Sequence, residues 1–133
     1  DGGKPSLFTM EALDGSYYLN LQRMYVDYRG GGLFRVLFGP RSNNTSSLIT
    51  HRDLSGHYDM KNWGDEPHHF QVIVGGYKCQ LKIDSYQSKW TTAPSGISGQ
   101  KQIRFILGNR ELSRLGMGQG VETRFQRVKI LYI

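Results

Sequence analysis

The densest group of chemically useful side chains lies in residues 57–69: His57, Tyr58, Asp59, Asn62, Trp63, Asp65, Glu66, His68 and His69. A sugar site needs an aromatic face to stack on the apolar side of a ring. It also needs planar or charged groups to bond neighbouring hydroxyls. This stretch supplies both. Gly64, after Trp63, leaves one side of the indole uncrowded. The competing role for Trp63 is to cap a core, since Trp is largely buried on average.

Trp90, flanked by Lys89 and Thr91-Thr92, is a second stacking platform. Its Ser/Thr-rich surroundings suit adaptable hydrogen bonding. The Arg41-Ser42-Asn43-Asn44 segment is a third polar loop. Asn43 and Asn44 each open a glycosylation sequon completed by Thr45 or Ser46. A glycan there would argue against that loop as a binding site.

Other chemistries are thinly supported. His51, His57, Asp65, Glu66, His68 and His69 could ligate a metal, but adjacent histidines on a strand point to opposite faces. Ser55, Cys79, His57 and Asp59 lack the framing motif of a nucleophile–base pair. Phe34-Arg35, Arg104-Phe105 and Arg124-Phe125 place basic groups beside aromatics, but alternation separates them on a strand, so a nucleic-acid surface is not expected. The expected ligand-binding set is His57, Tyr58, Asn62, Trp63, Asp65, Glu66, His68 and Trp90, with no catalytic residue, metal or cofactor.

These groups need a scaffold. The 133-residue chain is the size of one domain, taken here as residues 1–133, and can bury a core without disulfides. Seventeen glycines and four prolines fit an antiparallel fold with many tight turns. The single cysteine, Cys79, alternates in phase with Leu81 and Ile83, which suits a small core residue. Opening on Asp1 rather than Met, with two sequons, the chain reads as secreted. No apolar run is long enough for a membrane-spanning helix, and membrane insertion is not expected. A net charge of +6 favours anions, though the basic residues are scattered rather than clustered.

Hydrophobic periodicity is nearer two than 3.6 almost everywhere. Tyr17–Leu21 and Met24–Tyr28 read as one long strand or a bent pair. Leu33–Phe38 is a strand ended by Gly39-Pro40, and Ser47–Thr50 a short one. Residues 51–67 form a long polar loop. Phe70 to Asp84 is a hairpin about Gly75-Gly76. Tyr86–Gln100 is irregular. Lys101–Leu107, Leu112–Met117 and Arg127–Ile133 are the closing strands. The spacing predicts an all-β fold: an antiparallel β-sandwich or jelly roll of about eight strands.

Phe70-Gln71-Val72-Ile73-Val74-Gly75-Gly76-Tyr77 resembles the YEIVIGGW segment of the farnesoic acid O-methyltransferase-like domain. Leu33-Phe34-Arg35-Val36 resembles its preceding strand. Ile103–Leu107, Gly108-Asn109 and Leu115-Gly116-Met117-Gly118 resemble its later strand–turn element. The likeness spans roughly residues 28–133. Tyr77 stands where the family has Trp, Phe105 and Leu107 remain where tryptophans are lost, and Lys78 and Lys82 replace Asn and Arg. The resemblance implies an extracellular β-sandwich that recognises sugars. The family's name implies methyl transfer, but this chain has no glycine-rich strand–helix turn for a nucleotide-like cofactor. Trp63-Gly64-Asp65-Glu66 is also similar to the Trp-Gly-x-Glu of galectins, without their upstream His and Arg spacing.

The sequence therefore leads to a secreted, lectin-like, non-catalytic module that binds glycans and works as a homo-oligomer, since weak single sites gain by multivalency. The alternative is an extracellular protein- or anionic-ligand-binding domain using the basic surface.

Overall fold

A computed structural model describes residues 6–26, 32–50, 52–54, 67–75, 77–93, 102–108 and 124–131. Among these the chain is all-β, with no helix and hence none long and apolar enough to cross a membrane. Nine strands are present: β1 (Ser6–Ala12), β2 (Tyr18–Val26), β3 (Gly32–Gly39), β4 (Thr45–Ile49), β5 (Phe70–Gly75), β6 (Lys78–Ile83), β7 (Tyr86–Gln87), β8 (Thr91–Thr92) and β9 (Ile103–Leu107). Every pairing is antiparallel. One sheet runs β4-β3-β2-β1-β9, and the other runs β5-β6-β7 with β8 also on β6.

Alternation decides which side chains are buried together. Leu19 and Leu21 of β2, Phe34, Val36 and Phe38 of β3, Ile49 of β4, and Cys79, Leu81 and Ile83 of β6 form one buried cluster. Two sheets thus share a single core, which is where the apolar surface leaves water. Phe70, Val72 and Tyr86 pack against this cluster, the Phe70 ring edge-on to Phe34 with centroids 5.2 Å apart, and a polar contact adds to it. Ser47 Oγ of β4 and Ser88 Oγ share a buried hydrogen bond between the sheets. Ser88 sits in the gap between β7 and β8. Its hydroxyl accepts from the Leu81 N–H at 2.9 Å, and its own N–H donates to the Leu81 carbonyl at 2.8 Å. A side chain here substitutes for a backbone partner and lets one strand split into two short ones.

Several expectations meet this structure directly. Tyr17–Tyr28 contains one long strand, β2, whose register shifts between Arg23 and Tyr25. The Phe70–Asp84 hairpin is present, with Gly75 still in the ladder opposite Lys78 and Tyr77 in the turn. Tyr86–Gln100, expected to be irregular, contributes β7 and β8. β1 was not foreseen. The closing strand expected over Arg127–Ile133 is not formed over 127–131, where the backbone is in no sheet and every residue is exposed. Apolar composition alone does not supply a strand with a hydrogen-bonding neighbour. The strand expected over Leu112–Met117 lies outside the described residues.

Candidate functional site

The face of the five-stranded sheet opposite the shared core carries an ordered polar array, in which Thr9, Glu11 and Asn20 are buried. Antiparallel pairing puts directly opposed residues on the same face. Thr9 is opposite Asn20, and Glu11 is opposite both Tyr18 on β2 and Arg104 on β9. Thr9 Oγ1 donates to Asn20 Oδ1 at 3.4 Å, and Asn20 Nδ2 donates to the Tyr18 hydroxyl at 2.6 Å. Further along, Arg35 Nε donates to Gln22 Oε1 at 2.9 Å. Partial burial lowers the pKa of Arg35, and the nearby Tyr18 opposes that shift.

Glu11 is the centre of the array. Its side chain is 4% exposed, unusual for a carboxylate and tolerable because it is paired. Arg41 Nη2 donates to Glu11 Oε2 at 2.8 Å. Arg104 donates to Glu11 Oε1 from Nη2 and from Nε at 3.1 Å. The arginines themselves are 51% and 55% exposed. Arg41 also lies over the Tyr18 ring, 5.4 Å from its centroid, within cation–π range.

Two turns and a strand start position these groups. Asp14 Oδ1 accepts from the Ser16 N–H and hydroxyl, and Gly15 takes φ +79°, which closes the β1–β2 turn. Leu13 N–H donates to the Gln102 carbonyl at 3.0 Å and ties that turn to the approach of β9. Arg41 belongs to the turn between β3 and β4, closed by Asn43 N–H to the Pro40 carbonyl. Gly39 enters this turn at φ +120°, and a Cβ there would meet Ala93 Cβ at 3.2 Å. Only glycine fits both the angle and the space.

Between these parts is a shallow hollow of about 90 Å³, lined by Glu11, Ala12, Leu13, Gly15, Arg41 and Arg104. Leu13 supplies exposed apolar surface. Each guanidinium is oriented by the carboxylate and keeps part of its surface in water. Such groups can bond paired hydroxyls or a carboxylate or sulfate oxygen pair.

Of the residues expected from sequence, His57, Tyr58, Asn62, Trp63, Asp65 and Glu66 lie outside the described residues. His68 and Trp90 are described. The His68 ring is 7% exposed, and its Nδ1 donates to Asp84 Oδ2 at 2.7 Å. Asp84 Oδ1 also accepts the His69 N–H at 2.9 Å. Asp84 turns the chain after β6 at φ 54°. His68 is thus held against the turn after β6. Trp90 is 52% exposed and precedes β8. Phe70 pairs with Ile83 whereas Thr91 pairs with Cys79, so His68 and Trp90 flank opposite ends of β6. Four strand residues separate those ends, roughly 13 Å. They do not form one site.

Glu11, Tyr18, Arg41 and Arg104 were not singled out from sequence. Glu11 is 30 residues from Arg41 and 93 from Arg104, so no local motif joins them. Among the described residues no group of His, Cys, Asp or Glu is placed to hold a metal ion. Comparison of the chain with protein-family models, curated proteins and solved structures finds no match, so the likeness to the farnesoic acid O-methyltransferase-like domain rests on the residues quoted above.

Proposed function

We propose that this chain is a glycan-recognition module, lectin-like and without catalytic activity, built as a two-sheet β-sandwich and exported from the cell. The observation that supports it most is the pinning of two half-exposed guanidinium groups on one buried carboxylate, at the mouth of a hollow. Fixed planar donors are pre-organised for adjacent oxygens, and pre-organisation reduces the ordering cost of binding. Leu13 offers the apolar contact, and Trp90 a separate exposed platform. The shared core and the Ser47–Ser88 bond between sheets support the sandwich.

Two arginines against one carboxylate leave the site cationic. This favours acidic sugars, and it also supports the second reading, a general anionic-ligand or protein-binding surface. The two separate by salt and by competition. Binding through scattered charge falls steeply between about 50 and 200 mM salt. Binding through a shaped site retains selectivity among sugars of equal charge. The test is a glycan array with inhibition by simple sugars. Protein from a host that does not glycosylate is required, because Asn43 and Asn44 lie in or beside the Arg41 turn.

A further inference from the structure

The chain holds two overlapping glycosylation sequons, Asn43-Asn44-Thr45 and Asn44-Thr45-Ser46. Neither asparagine lines the hollow. The fold treats the two differently, although they are adjacent in the chain.

Asn43 ends the turn between β3 and β4. Its N–H donates to the Pro40 carbonyl at 3.0 Å, which fixes its backbone, and the residue is exposed. Asn44 is half-buried. Its Nδ2, the atom that would carry a sugar, donates to the Arg41 carbonyl at 3.3 Å. Its Cα lies 3.5 Å from the point that a Cβ on Gly39 would occupy, so the end of β3 crowds it. A glycan on Asn44 competes with that bond and that packing. A glycan is bulky and belongs on the surface, and on Asn43 it extends into water.

The third sequon positions differ as well. Thr45 completes the Asn43 sequon, and Ser46 completes the Asn44 sequon. The glycosylating enzyme reads the hydroxyl at that position. The β-branch of threonine holds its hydroxyl in fewer rotamers than serine allows. Two glycans on consecutive residues would collide, so one site prevails.

We propose that Asn43, and not Asn44, is a site of N-glycosylation, which sets the glycan on the turn that presents Arg41. The proposal rests on the export reading above, because the donor, an oligosaccharide joined to a lipid diphosphate, is met in the secretory pathway. In the transfer a bond forms between Asn43 Nδ2 and C1 of the first sugar. The C1–O bond to the diphosphate breaks, and the lipid diphosphate leaves with that electron pair. Nδ2 gives one of its two protons to a base and keeps the other. Nothing is oxidised or reduced.

Translation of the full chain behind a supplied signal peptide, in the presence of microsomes, tests it. The supplied leader makes the result independent of whether the natural chain is exported. Enzymatic release of the glycan converts the carrier asparagine to aspartate, and mass spectrometry of the peptide locates it. Wild type is expected to carry one glycan, on Asn43. Ser46→Ala destroys only the Asn44 sequon, at an exposed residue, and should keep full occupancy. Asn43→Gln leaves the Asn44 sequon whole and should lose most of the occupancy. A wild-type chain without a glycan overturns the proposal. So does a glycan mapped to Asn44, a loss of occupancy in Ser46→Ala, or an Asn43→Gln chain glycosylated as fully as wild type.

Discussion

Arg104 stands directly opposite Glu11 in the β1–β9 ladder, and its guanidinium donates to Glu11 Oε1 from both Nε and Nη2. The pair joins the edge strand to its neighbour and fixes an arginine at the rim of the hollow. Arg104→Ala removes two charge-assisted bonds from a buried carboxylate that keeps Arg41. A stability loss of about 2 kcal/mol is expected from urea unfolding. Loss of ligand binding should exceed tenfold, measured under conditions where the variant is folded. Equal binding by the variant would restrict Arg104 to tying strands together.

Tyr17 has the opposite problem. Its ring is fully buried, and among the described residues its hydroxyl has no hydrogen-bond partner. Tyr17→Phe removes a buried polar atom and keeps the ring. The thermal midpoint should rise, with a gain of about 1 kcal/mol. A fall would mean that the hydroxyl is satisfied in solution.

Burial also governs titration. Desolvation pushes the Tyr17 hydroxyl up to about 12, with nearby Cys79 adding to it. Desolvation pushes the Cys79 thiol up to about 12 as well. Both groups stay neutral in the folded chain at pH values where the unfolded chain ionises. Their contribution is therefore intact below about pH 9 and is lost as pH rises towards about 12. Urea midpoints at pH 8, 10 and 11 should fall in that order, and Cys79→Ala should flatten the fall. At pH 8 a thiol reagent should label Cys79 only in denaturant. Rapid labelling of the native chain would place Cys79 outside the core.

Ser88 links three elements. Its hydroxyl bonds Ser47 across the sheets and accepts the Leu81 N–H. Ser88→Ala leaves a buried N–H without that acceptor, which costs about 1–3 kcal/mol. Ser47→Ala removes the link between hydroxyls and a long 3.5 Å bond to the Lys89 carbonyl, orphans no backbone N–H, and should cost less. Chemical denaturation of both variants gives the comparison. Equal costs would show that the Leu81 contact contributes little.

The strands were legible where alternation was strong and turn chemistry was local. Phe70 and Val72 mark β5, and Cys79, Leu81 and Ile83 mark β6, because both sets pack in one core, while Val74 keeps the phase but is exposed near the hairpin turn. β1 was missed although Phe8, Met10 and Ala12 alternate with Thr9 and Glu11. Leu7 blurs that period, and a charged residue at a buried outward position reads as a surface loop. The split of β7 from β8 depends on a side chain replacing a backbone partner, which periodicity does not report. The hollow was illegible for another reason. Glu11, Arg41 and Arg104 meet only through strand register, and register depends on pairings far apart in the chain. The sequence instead drew attention to residues 57–69, where chemistry clusters locally. Of that stretch Pro67, His68 and His69 are described, and the His68 ring and the His69 N–H both bond Asp84.

The proposed function places glycan recognition at the Glu11–Arg41–Arg104 hollow. A glycan array probed in parallel with the wild-type chain and Arg104→Ala, both unglycosylated, tests it most directly. Wild type should bind selectively, most strongly to acidic sugars, with free sugar inhibiting that binding and the variant losing it. No glycan bound at high micromolar protein, or identical binding by the two chains, would contradict it.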